Sequence, residues 1–282
     1  MLRVTLRSII GPVACVPCVC KWSGYNRLEI KMTDAPVSLP GKLFGDTLQR
    51  LVSRLGLTEV TGDDGGPYLP LESQLPMVQG SVGAVRLFTG GPLFRVVTCS
   101  LSVEPMQLDS HMLFAFTPGS SAVPHFTLDS VKAGEHFAFH LDLIPRLDLG
   151  SNLRYMDEVF APLNDAYEAG SAIEGLSKAH LSPRQYAIMS PWMLANRASE
   201  AAFAAIEDVV ERYQEHWFSL LENGVSEAAL DGADAQQLQT RNLRNKRIIF
   251  DMDVDPVWQR ITPMIGEEAV AIQRGLLIGE DE

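Results

Sequence analysis

Between residues 81 and 144 the chain carries a succession of short apolar, β-branched runs separated by turns, and this stretch restricts the fold more than any other. The runs are 81–89, 93–103 (LFRVVTCSLSV), 111–116 (HMLFAF) and 135–144 (EHFAFHLDLI), with Gly90-Gly91-Pro92 and Thr117-Pro118-Gly119 as turns. The short connections favour antiparallel pairing, because parallel neighbours need a crossover of a dozen residues or more. The flanking sequence has a different period. Leu43, Leu48, Leu51, Val52 and Leu55 recur at helical spacing and stop at Gly56. Phe203, Ile206, Val210, Tyr213, Trp217 and Leu220 form a second stripe, which reads as core. Ser190-Pro191 supplies a helix start ahead of that stripe and Asn223-Gly224 its end. A polar loop is expected over 224–240, a further strand over 246–250, and a last helix from near Pro256. A strand-rich middle enclosed by helices predicts an α+β fold, an α/β/α sandwich with a central antiparallel sheet.

The charge distribution separates a leader from a body. Of 23 Lys and Arg, five lie in residues 1–31, and of 35 Asp and Glu only Glu29 does, which leaves 18 cations against 34 acids beyond. A basic, acid-poor leader has the composition of an organelle transit peptide, while Met32 opens an equally natural start, as it would after an over-extended translation start. A plastid or other organelle follows from the first reading and the cytoplasm from the second. Residues 32–282 are expected to be one domain that does not need the leader. Cys15, Cys18 and Cys20 sit in that leader, where Cys-x-x-Cys-x-Cys lacks the further ligands of a soft-metal site. Cys99 is alone in the body, so no disulfide framework is expected. The net charge of −12 argues against a nucleic-acid partner. No apolar run reaches the roughly 18 residues of a membrane span, so no membrane partner is expected.

Two stretches carry a family resemblance. Pro124-His125-Phe126-Thr127-Leu128-Asp129-Ser130-Val131, followed by Leu141-Asp142-Leu143-Ile144-Pro145-Arg146-Leu147-Asp148-Leu149, resembles the red chlorophyll catabolite reductases. Phe126 to Val131 also resembles a pattern of the ferredoxin-dependent bilin reductases. Phe250-Asp251-Met252-Asp253-Val254-Asp255-Pro256 through Ile265-Gly266-Glu267-Glu268 is similar to the C-terminal pattern of the same enzymes. With the weaker Phe94-Arg95 run, the resemblance spans about residues 80–275, and it rests on the order and spacing of the motifs. Thr98 stands where phycocyanobilin-forming members have a catalytic histidine, and Pro256 where a lysine is usual.

The resemblance implies an oxidoreductase that reduces an open-chain tetrapyrrole, red chlorophyll catabolite or a biliverdin-type bilin. Electrons would come singly from ferredoxin, with no tightly bound cofactor. Protons would come from Asp129 and Asp255, the family's acids. Each added electron makes the conjugated system more basic, and a carboxylic acid in an apolar pocket stays protonated because burial disfavours its charge. Asp255, directly before Pro256, also reads as a helix cap, a position that stabilises the carboxylate instead.

His125 and Arg146 are candidates for substrate binding. Arg241, Arg244, Lys246 and Arg247 form the dense basic cluster of an acidic body and are candidates for docking ferredoxin. Two other functions stay open: a tetrapyrrole carrier without turnover, and a metal-dependent hydrolase built on His136, His140 and Asp142, which share one side of a strand.

Overall fold

The computed structural model describes residues 37–282; the leader and its three cysteines lie outside them. The chain enters through helix α1 (Leu39–Leu55), where the Ser38 hydroxyl accepts from the Gly41 N–H and Gly56 closes the last turn in the left-handed conformation. Seven strands follow: β1 (Thr58–Val60), β2 (Leu69–Glu72), β3 (Ser81–Gly90), β4 (Leu93–Val103), β5 (Leu108–Phe116), β6 (His125–Ala133) and β7 (His136–Ile144). Helices α2 (Leu153–Val159) and α3 (Asn164–Ser171) lead to β8 (Leu176–Lys178), the single turn α4 (Pro183–Tyr186) and β9 (Leu194–Ala198). The remainder is helical: α5 (Glu200–Ala204), α6 (Glu207–Asn223), α7 (Glu227–Leu230), α8 (Ala235–Ile249), α9 (Val257–Ile265) and α10 (Glu267–Ile278).

All pairings among the described strands are antiparallel, in the order β1-β3-β4-β5-β6-β7-β9-β8, with β2 also on β3. The sheet is open, and each face has its own core. Val96, Leu113, Phe126 and Leu128 pack with Leu43 and Leu48 of α1 and Tyr213 and Trp217 of α6. Val97, Cys99, Phe114 and Phe116 pack on the other face with Phe250, Trp258 of α9 and Leu277 of α10. Period-two alternation, broken at irregularities of β2 and β3, therefore feeds two helical layers, the α/β/α sandwich of the sequence reading. Full burial of a side chain such as Phe126 contributes about 1.5–3 kcal/mol.

Three segments differ from the sequence expectation. Residues 125–133, which are outside the strand runs expected from the sequence, form the central strand β6, between β5 and β7. Ser190 does not start a helix. Its hydroxyl donates to Asp142 Oδ1 at 2.5 Å and its N–H to Oδ2 at 2.9 Å, which ties the turn to the sheet and lets Leu194–Ala198 pair as β9. Helix begins instead at Ser199, whose hydroxyl caps α5, and continues as α6. Residues 224–250 hold α7 and α8 in place of a loop and a strand. Asp234 and Gln237 form a reciprocal capping box at the start of α8. The buried residues of α8 are Leu238, Asn242, Lys246 and Ile249, so half of its inward face is polar and the helical period is not visible as hydrophobicity.

Candidate active site

The helix-covered face bearing Phe114 and Trp258 also holds a cavity of about 380 Å³, within the usual range for a small-molecule site. One rung of the sheet lies across its floor. Cys99 of β4 pairs with Met112 of β5, Met112 with Asp129 of β6, Asp129 with His140 of β7, and His140 with Ala195 of β9. Every member of this row lines the cavity. The segment between β8 and β9 adds Ile188, Met189 and Met193, held in place by the Ser190–Asp142 bonds. Trp258 and Ile261 of α9 and Gln273 of α10 line it further, and Asp255 lies just ahead of α9. The lining is largely apolar, with acids at two separate places.

Buried polar side-chain atoms normally find a partner, and those that do not mark places built for something else. Among the described residues seven such atoms lack one, and four of them belong to side chains that line this cavity: Asp129 Oδ1, His140 Nε2, Trp258 Nε1 and Gln273 Oε1. Asp129 Oδ2 faces His140 Nδ1 at 3.5 Å, with the Asp129 side chain 34% and the His140 side chain 17% exposed. Burial works against charging His140. The Asp129 carboxylate, with Asp142 and Asp255 further off, outweighs it and raises the imidazole pKa above its ordinary value. Asp255 is pushed up as well, first by burial and then by the Asp129 charge, and the Val257 N–H on its Oδ1 at 3.0 Å offsets only part of this. The sequence reading of Asp255 as a cap expected the opposite direction. Its carboxylate does take the N–H of the first turn, but it lies in the cavity wall, and lost solvation dominates.

His125 and Arg146 are not among the cavity-lining residues. His125 shares the strand face with Asp129, four residues or about 13 Å along β6, and is covered there. Its Nδ1 accepts from the Thr117 N–H at 3.1 Å and its Nε2 pairs with Asn242 Oδ1 at 2.8 Å. Burial and the neighbouring Arg146 charge hold it well below the ordinary pKa, so the ring is neutral. Arg146, 1% exposed, donates to Thr117 Oγ1 at 2.9 Å and to the Gly119 carbonyl at 2.8 Å.

The basic cluster is split by α8. Lys246 is buried, over the rings of Phe94 and Phe116, with its Nζ 2.9 Å from Glu282 Oε2. Arg241 donates to the Pro145 carbonyl. Arg244 and Arg247 are exposed, Arg247 beside Glu280 at 2.8 Å.

Thr98, compared above with a catalytic histidine, is buried, and the alternation of β4 turns it to the α1/α6 side; Cys99 is the residue over the cavity. Burial raises the Cys99 thiol to about 12, so it carries no thiolate at neutral pH. His136, His140 and Asp142 do not combine into a metal site. His136 is exposed at the end of the hairpin, both Asp142 oxygens are taken by Ser190, and no group of three potential ligands occurs among the described residues. His140 is the site residue whose place the sequence did not disclose. The signal lay in Gly134-Glu135: a two-residue turn there pairs Ala133 with His136 and so fixes Asp129 opposite His140.

No protein-family model matches the sequence, nor does any curated protein. Solved structures do match. The crystal structure of phytochromobilin synthase from tomato in complex with biliverdin aligns over 84% of this chain and 82% of that one, with a TM-score of 0.66 and 16% sequence identity. The two proteins share a fold, the one implied by the motifs around Asp129 and Asp255.

Proposed function

We propose that the chain is an oxidoreductase that reduces an open-chain tetrapyrrole, red chlorophyll catabolite or a biliverdin-type bilin, with single electrons from reduced ferredoxin. The observation that carries this reading is the largely apolar cavity with acids at two places, on a fold shared with a protein crystallised with biliverdin. Such a cavity would take the flat conjugated body of the substrate, and the unpartnered atoms of Asp129, His140, Trp258 and Gln273 would meet its lactam and pyrrole groups. Reduction consumes protons in step with electrons. The Asp129–His140 side and Asp255 supply them from two directions, and their placement selects the bond that is saturated. A raised pKa at Asp255 keeps its proton available closer to neutrality.

The test is an anaerobic assay with biliverdin and red chlorophyll catabolite in parallel. Binding is expected to shift the visible spectrum, and reduced ferredoxin is then expected to bleach the long-wavelength band. A spectral shift without subsequent reduction would identify a carrier, and no shift with either pigment would overturn the reading.

The exposed pair Arg244 and Arg247 would guide the acidic electron donor to α8. Reversing both to Glu is expected to lower ferredoxin-driven turnover several-fold at low salt. The deficit should shrink with salt, since exposed charges are screened within about 10 Å at 0.1 M. Spectral titration of the pigment should be unchanged; a collapse of pigment binding would place these residues in support of the cavity instead.

A further inference from the structure

His140 differs from the other half-buried and buried histidines of the described chain. His111 has Ser100 and Asp109 on its two nitrogens, His125 has Thr117 and Asn242, and His216 Nε2 bonds the Val159 carbonyl. In His111 and His125 both ring nitrogens are thus taken by the fold, and in His216 one is. His140 presents Nδ1 to Asp129 and leaves Nε2 buried without a protein partner, on a side chain that lines the cavity. An imidazole anchored by a carboxylate on one nitrogen and open on the other is arranged to deliver a proton.

We propose that His140 is the catalytic acid on the Asp129 side: its Nε2–H hands the proton to the substrate, and Asp129 keeps the ring charged and fixed in orientation. The proposal rests on the reductase reading above. One electron from the iron–sulfur donor converts the bound pigment to a radical anion, a stronger base than the neutral pigment. The Nε2–H bond then breaks, its electron pair stays on the ring, and the proton forms the new bond to the pigment. His140 is left neutral, with Nδ1–H still towards Asp129. A second donor molecule brings the second electron and Asp255 the second proton. Two electrons and two protons thus saturate one double bond. His140 is recharged from solvent, which reaches it past the partly exposed Asp129.

The charged and titratable groups around the ring support this assignment. Asp129 faces it from β6, Asp142 lies on its own strand, and Asp255 stands ahead of α9. Arg260 of α9, His111 of β5 and Cys99 of β4 also line the cavity. The Asp129 carboxylate, with Asp142 behind it, works against burial and holds the ring charged to higher pH than usual. Because the charged ring is the donor, the His140 step is fully available below this raised pKa and is lost as pH rises through it.

The experiment compares wild-type protein, His140→Gln and Asp129→Asn, with biliverdin as the probe and reduced ferredoxin in excess. Turnover from pH 5.5 to 9, pigment binding by spectral titration, and ring titration by nitrogen NMR of histidine-labelled protein are measured together. His140→Gln is expected to lose at least tenfold in turnover and the alkaline decline of the profile, with pigment affinity within a few-fold. In Asp129→Asn the His140 ring should titrate at lower pH, and the alkaline decline should move with it. Retention by His140→Gln of more than half the turnover with the decline intact would overturn the proposal and leave the reductase reading standing. Absence of turnover in wild type would overturn both. If His140→Gln fails to fold, wild type decides: its kinetic decline and its His140 titration must coincide, and a mismatch rejects the assignment.

Discussion

Asp129→Asn is expected to lower turnover by about 10²- to 10⁴-fold, the usual contribution of a general acid–base group, while pigment affinity changes only a few-fold. Asn keeps the size of the side chain and can still accept from a substrate N–H with the oxygen that replaces Oδ1, so binding survives. The negative charge 3.5 Å from His140 is lost, and burial then drives the ring to its neutral form at working pH. Electron arrival does not depend on that proton, so a one-electron-reduced pigment should accumulate and be visible by electron paramagnetic resonance. Rapid freezing after mixing with reduced ferredoxin is the measurement. Full turnover in Asp129→Asn would remove this side of the cavity from the reaction and leave Asp255 as the acid to pursue.

What the sequence disclosed and what it hid follow from the same physics. The strands β3, β4, β5 and β7 were legible because β-branched and aromatic residues alternate there between Gly/Pro turns. The helices α1 and α6 were legible because each buries a mostly apolar stripe, interrupted only by Thr47 in α1 and Gln214 in α6. Hidden elements break one of those conditions. Helix α8 turns Asn242 and Lys246 inward, β9 is five residues with Asn196 and Arg197 among them, and β6 is preceded by two prolines that suggest a turn.

The site shows the same division. Asp129 and Asp255 stand out only through family motifs, because an isolated carboxylate in a sequence has no distinguishing period. His140 was visible on the correct strand face but was grouped with His136 and Asp142. Period two assigns a face; it does not say that one end of that face is exposed, the middle opens on a cavity and the far end is taken by Ser190. The partner of Ser190 lies 48 positions away in the chain, and no local pattern encodes that pairing.

Arg146→Ala separates a structural from a substrate-binding role for the arginine of the Pro-Arg-x-Asp-Leu segment. The guanidinium is 1% exposed and joins the loop after β5 to the start of β6: Thr117 Oγ1, the Gly119 carbonyl and the His125 ring all face it. Burial already lowers its pKa to about 10, with Tyr155 and Glu282 acting against that fall. Truncation leaves the Gly119 carbonyl without its guanidinium partner and opens a hole beside Thr117 and His125. Each orphaned buried group costs about 1–3 kcal/mol, and the lost side-chain volume adds to this, so a total of about 3–5 kcal/mol is expected. For a domain of this size that lowers Tm by about 10 °C, read by calorimetry at neutral pH. Pigment affinity of the folded fraction, measured well below the lowered Tm, should stay near wild type, because Arg146 does not line the cavity. A variant that keeps its Tm but loses pigment binding more than tenfold would return Arg146 to the substrate.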